Sequence, residues 1–195
     1  LSGMTFEEMK SSLQSRVLSQ FIGTRASVTL GSLRTINVFI LGEALQPGMH
    51  STSSLSTITN ALLESGGVKT SGSLRNIQLK REGQIVANFD FYDLLLNGNL
   101  SSELKLKPND VIFIPPKSKS VGIRGEVLRS GIYELKPGEN INHAIKFAGG
   151  LKPKADRSNI DIQRIDSNIN GYTLLSANLD EEKQEQTEAL SNGDV

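Results

Sequence analysis

Residues 38–48 read VFILGEALQPG, and residues 121–131 read VGIRGEVLRSG. Laid on each other at an offset of 83, they open a match without gaps that carries Val38–Arg81 onto Val121–Arg164. Fourteen of the 44 aligned positions are identical, including Val38/Val121, Ile40/Ile123, Gly42/Gly125, Glu43/Glu126, Gly66/Gly149, Gly67/Gly150, Ile77/Ile160 and Arg81/Arg164. Self-similarity at a fixed offset is the mark of a repeated structural unit, so the chain reads as two copies of one small module.

Each copy can be read physically. Val38 and Ile40, like Val121 and Ile123, alternate as one buried strand face, and a turn at Gln46-Pro47-Gly48 or Arg129-Ser130-Gly131 leads to a return strand. A short helix follows, with Ile58, Ala61, Leu62 and Ser65, or Ile141, Ala144, Ile145 and Ala148, on one face. Thr57 and Asn140 stand where an N-cap belongs. Gly66-Gly67 and Gly149-Gly150 end that helix, because a left-handed residue is cheap only as glycine. Period two then returns at Ile77, Leu79 and Arg81, or Ile160, Ile162 and Arg164. Strand, strand, helix, strand is the opening of a β-grasp, so the expected class is α+β.

Outward from the repeat, Phe91–Leu96 predicts a short helix, Asp110–Ile114 a closing or linking strand, and Pro115-Pro116 its end. The expected boundaries are 1–36 for a preceding piece, 37–116 for the first module and 120–195 for the second. The preceding piece should contribute a helix and one strand at Ala26–Leu30. At an offset of 84, Leu190–Val195 falls on Leu106–Val111, which suggests that the chain ends where a third unit, or some other following domain, would begin, and that the second module is truncated at its C-terminal end. The absence of a basic, apolar leader suggests an excised piece of a longer protein.

Composition narrows the function. Lys plus Arg and Asp plus Glu both number 21, so no net field draws the chain to nucleic acid. With no cysteine, disulfides, thiolate chemistry and zinc sites that need sulfur are excluded, and only His50 and His143 could offer imidazole. They fall at non-equivalent positions, no Gly-x-Ser-x-Gly elbow occurs, and no Lys-Ser/Thr follows the Gly-Gly pairs at the spacing of a phosphate loop, where a helix would begin rather than end. Asp180-Glu181-Glu182 lacks a calcium-loop pattern and reads as a solvated face. No catalytic residue, metal site or cofactor is therefore expected. Aromatics make up 5% with no Trp, which suits a wide, weakly binding surface better than a tight sugar pocket.

The repeated Gly-Glu block, the helix ending in Gly-Gly and the Ile-x-Leu/Ile-x-Arg strand resemble the soluble-ligand-binding β-grasp (SLBB) domain. Leu106–Ile112, followed by the next Gly-Glu block, is similar to the link between tandem copies in polysaccharide export proteins of the outer membrane, and Met4–Leu33 resembles the tail of that family's export domain. The resemblance implies a periplasmic segment of a capsule or exopolysaccharide exporter, attached to the outer membrane in the intact protein and forming part of a conduit wall. It implies self-association in a ring, weak contact with polysaccharide, an inner-membrane export partner and no catalysis. Two alternatives stay open: a structural adaptor that binds neighbouring subunits through flat patches, and a small-molecule module with one deep apolar pocket. Gly42, Glu43, Gly66, Gly67, Gly125, Glu126, Gly149 and Gly150 are read as structural.

Arg81 and Arg164 are the candidate ligand-binding residues. A guanidinium repeated on the inward side of a strand could bind the carboxylates of an acidic glycan. The scaffold reading lays its stem on the core and sends its head to solvent, to backbone carbonyls, or to a carboxylate such as Glu43 or Glu126.

Overall fold

The computed structural model describes residues 4–21, 23–29, 31–99, 104–166, 171–179 and 189–195. It forms two compact units, Leu1–Arg34 and Thr35–Val195.

The first unit holds helix α1, Phe6–Gln20. Thr5 starts it with a capping box: its hydroxyl accepts the Glu8 N–H, and the Glu8 carboxylate accepts the Thr5 N–H. None of the helix residues is buried. The strand expected at Ala26–Leu30 is not found: residues 26–29 carry no strand pairing, and Leu30 lies outside the described residues. An extended segment becomes a strand only beside a partner, and the polar contact of Ala26 is instead with the helix, whose Gln14 Nε2 donates to its carbonyl at 3.2 Å.

In the second unit the first module is a five-stranded mixed sheet of order β2-β1-β5-β3-β4. Its strands are β1 (Thr35–Gly42), β2 (Gly48–Ser53), β3 (Ile77–Arg81), β4 (Gln84–Phe89) and β5 (Val111–Ile114). β5 lies in the middle, parallel to β1 and antiparallel to β3. Alternation turns Ile36, Val38 and Ile40 of β1 inward, where they meet Ile58, Ala61 and Leu62 of helix α2 (Ile58–Glu64). Ile77, Leu79, Ile112 and Ile114 complete that core, each with no exposed surface. Helix α3, Phe91–Asn97, starts from an Asp90 cap and ends at left-handed Gly98. This is the expected β-grasp.

The second module repeats the pattern with β6 (Ser120–Ile123), β7 (Gly131–Glu134), helix α4 (Ile141–Phe147), β8 (Ile160–Asp166) and β9 (Gly171–Ala177). Among the described residues its strands make two separate pairs, β6-β7 and β8-β9. Leu190–Val195 packs with the second module. Leu190 is buried in the second module's core, and Val195 exchanges both backbone hydrogen bonds with Gln163 of β8 (2.7 and 3.0 Å). The segment copies the lead-in to β5. That lead-in stands just ahead of the next copy in sequence, so an offset comparison cannot tell which side it belongs to.

Candidate functional site at the joint between the modules

The glycine motifs act identically in both copies. Gly66 and Gly67 have φ of 84° and 94°, Gly149 and Gly150 of 85° and 95°. Their amides close the helix on Leu63 and Leu62, or on Lys146 and Ile145. Gly67 and Gly150 then accept the N–H of Leu45 and Leu128, fastening the helix end to the Gly-Glu turn. Gly42 and Gly125 are also left-handed, at 84° and 86°. Glu43 accepts the Ser71 hydroxyl, and Glu126 pairs with exposed Lys152 at 3.7 Å. Neither glutamate meets an arginine.

The carboxylates that hold Arg81 and Arg164 are Asp110 and Asp194. Arg81 Nε and Nη2 donate to the two Asp110 oxygens, both at 2.7 Å, and the Lys107 N–H donates to the same carboxylate at 2.8 Å. Arg164 Nε and Nη2 donate to Asp194 at 3.1 and 2.8 Å, joined by the Ser191 N–H at 2.6 Å. Both aspartates are buried, while the arginine side chains keep 25% and 28% exposure. Arg81 ties the end of β3 to the turn that enters β5, and Arg164 ties β8 to the turn before Asp194. The Asp110 hydrogen bond and charge hold the Arg81 guanidinium above its ordinary value, against the smaller opposing effect of burial.

The histidines are absorbed locally. His50 Nε2 lies 2.9 Å from the Gln46 carbonyl, and Tyr133, at the equivalent position, donates its hydroxyl to the equivalent Arg129 carbonyl at 2.7 Å. His143 completes a capping box with Asn140. No group of three or more candidate metal ligands occurs among the described residues.

The densest polar cluster joins the modules to each other, and it centres on Arg75, 7% exposed in the loop before β3. Its guanidinium donates to Asp90 of its own module (Nε 3.2 Å, Nη2 3.1 Å) and to Glu139 of the second. Its Nη1 also donates to the Glu134 carbonyl at 3.2 Å. The guanidinium carbon stands 4.9 Å from the Tyr92 ring centre and 4.6 Å from that of Phe147, and these rings meet edge to face across the modules. The Glu134 carboxylate reaches back to accept the Ser73 hydroxyl at 2.6 Å and the Leu74 N–H at 2.9 Å. Lys136 crosses to Asp90, and the linker is stitched down by Ser73 N–H to Pro115 O and Lys117 N–H to Ser71 O.

Electrostatics in the joint are mutually compensating. Burial works to raise the Asp90 carboxyl, but the Lys136 and Arg75 hydrogen bonds override it and hold the group below the ordinary carboxylate range. Burial likewise opposes Glu139, and Arg75 together with the Lys136 N–H draws it down. The Tyr92 hydroxyl is pushed up, chiefly by burial. The cluster thus ties the two modules together through ion pairs, hydrogen bonds and ring contacts at once.

The SLBB domain family matches this chain twice, over residues 37–114 and again over 120–172. The chain is a tandem SLBB-domain protein. Among curated proteins, two from Escherichia coli named "Polysialic acid transport protein KpsD" are similar to it. One is 24% identical over 84% of this chain and 29% of its own length, the other 28% identical over 66% and 23%. The tandem SLBB protein thus spans less than a third of either relative. No helix among its described residues is long and apolar enough to cross a membrane.

The repeat-based reading missed the joint for an identifiable reason. Arg75, Glu134 and Glu139 fall opposite Ser158, Ser51 and Ser56, where the two copies differ. A charged residue in one copy facing serine in the other is the signal that could have found them, because residues that join unlike faces cannot be shared.

Proposed function

We propose that the tandem SLBB protein is a non-enzymatic, periplasmic wall segment of an outer-membrane polysaccharide exporter, with residues 1–36 as the tail of its export domain and 37–116 and 120–195 as successive layers of the wall. In the intact protein such segments associate side by side in a ring, contact the polysaccharide weakly and meet an inner-membrane export partner. The observation that carries this reading is the Arg75 joint: a wall that holds a passage open needs rigid spans, and a network of two half-buried acids and two half-buried rings around one buried guanidinium would join two modules into one span. The relationship to the polysialic acid transport proteins supplies the cargo class. The repeated arginines serve the scaffold, since both are occupied by buried aspartates.

The test is removal of residues 37–195 from the intact protein in the producing bacterium. Surface polysaccharide should disappear while its intracellular chains keep their normal length and composition. Chains of altered length or linkage would instead indicate an enzyme acting on the glycan.

A further inference from the structure

Among the described residues, β2 and β4 are the edges of the first module's sheet, and β7 and β9 are paired on one side only. These strands are nearly without charge. β2 reads GMHSTS, β4 QIVANF and β9 GYTLLSA, and the one charged residue of β7 (GIYE), Glu134, is turned into the Arg75 joint. The strands flanked on both sides carry the charges instead: Lys80 and Arg81 on β3, Asp161, Arg164 and Asp166 on β8. Soluble proteins commonly guard an exposed edge with charged side chains, which oppose pairing with another chain. Here the guard is missing from the edges of both modules.

Register says what fits them. Met49 stands beside Phe39, Phe39 beside Val111, Val111 beside Lys80 and Lys80 beside Ile85, so Met49 and Ile85 end one row at opposite edges of the sheet. In the second module Ile132 stands beside Gly122, the counterpart of Phe39, and Leu174 beside Gln163, the counterpart of Lys80. The four row ends are apolar and 52% to 72% exposed, although their residue types differ between the copies. Strand direction is also matched. β2 runs against β1, while β5, β3 and β4 alternate from β1 so that β4 runs with it. A second copy in the same orientation therefore brings its β4 antiparallel to β2, the stronger kind of pairing, with Ile85 in the row of Met49. We propose that a second copy of this chain, so oriented, covers these edges, its β4 on β2 and its β9 on β7, with the apolar row ends meeting along each seam. The proposal rests on the side-by-side association proposed above and names its surface. Two-fold pairing of β2 with β2 leaves β4 and β9 uncovered, whereas a head-to-tail seam uses both edges of every copy and repeats until it closes.

The test is sedimentation of the purified intact protein over a range of concentrations, with thermal unfolding to check that each variant is folded. Met49→Lys with Ile132→Lys sets ammonium groups where the seam buries them, and Ile85→Glu with Leu174→Glu sets carboxylates there from the other edge. Each double variant should raise the concentration at which half the copies assemble by about tenfold or more. The chain with all four changes opposes Lys to Glu across both seams and should recover most of that loss. Leu63→Lys, at an exposed apolar position on helix α2, should assemble as the wild type does. Unchanged assembly of both double variants overturns the seam and leaves the association standing. Loss without recovery in the fourfold variant also overturns the seam, giving the edges to another partner. A wild type that stays single at every concentration overturns the association itself, and the seam with it.

Discussion

Replacing Arg75 by Met removes the charge from the joint while keeping most of the stem that fills it. The change strands Glu139, which is 15% exposed, with the Lys136 N–H, and leaves Asp90, 12% exposed, to Lys136 and the Tyr92 N–H. Breaking a buried ion pair from one side costs about 3–5 kcal/mol. The remaining Lys136 contacts favour the lower end, about 3 kcal/mol, or a Tm fall of roughly 6–12 °C if the modules unfold together. Urea unfolding and calorimetry measure it. The wild type should unfold in one transition, and the variant in two as the modules uncouple. Adding Glu139→Gln should cost less than the sum of the two single changes, because the pair shares one interaction. A loss below about 1 kcal/mol with a single transition retained would refute the view that this cluster locks the modules.

Acid should loosen the same joint. Asp90 and Glu139 are held below their ordinary values when folded, so their contribution is complete above that range and is lost as pH falls through the lowered values; stability measured at pH 7 and near pH 3 should drop more in the wild type than in Arg75→Met. Arg81→Met and Arg164→Met should each cost about 2–3 kcal/mol by leaving a buried aspartate unpaired, and should reduce export only in proportion to protein level. Gly125→Ala should cost about 1–2 kcal/mol for its positive φ, whereas Gly42→Ala should cost more, because its methyl also meets the Ile114 oxygen.

Elements that repeat were legible in the sequence, since a shared fold leaves the same residue at the same place twice. Thr57 and Asn140 cap their helices, the Gly-Gly pairs end them, and Val38, Ile40, Leu79 and Ile162 lie in the two cores. Arg81 and Arg164 were found, but their partners were not. Glu43 and Glu126 stand in the repeat block, whereas Asp110 and Asp194 sit outside it, 29 and 30 residues along the chain, at a distance only the sheet closes. Arg75 was missed because only the positions shared by the copies were read, and it stands in one copy alone, opposite Ser158. The strand expected at Ala26–Leu30 failed because an apolar, β-branched run states a preference and the ladder partner decides.

Export itself tests the rigid-wall account most directly. Arg75→Met is introduced into the intact protein of the producing bacterium, and surface polysaccharide is measured per unit of that protein. Most of the surface polysaccharide should be lost while the protein still accumulates, because the two modules no longer hold one angle. Unchanged surface polysaccharide per unit of a protein whose modules unfold separately would contradict it.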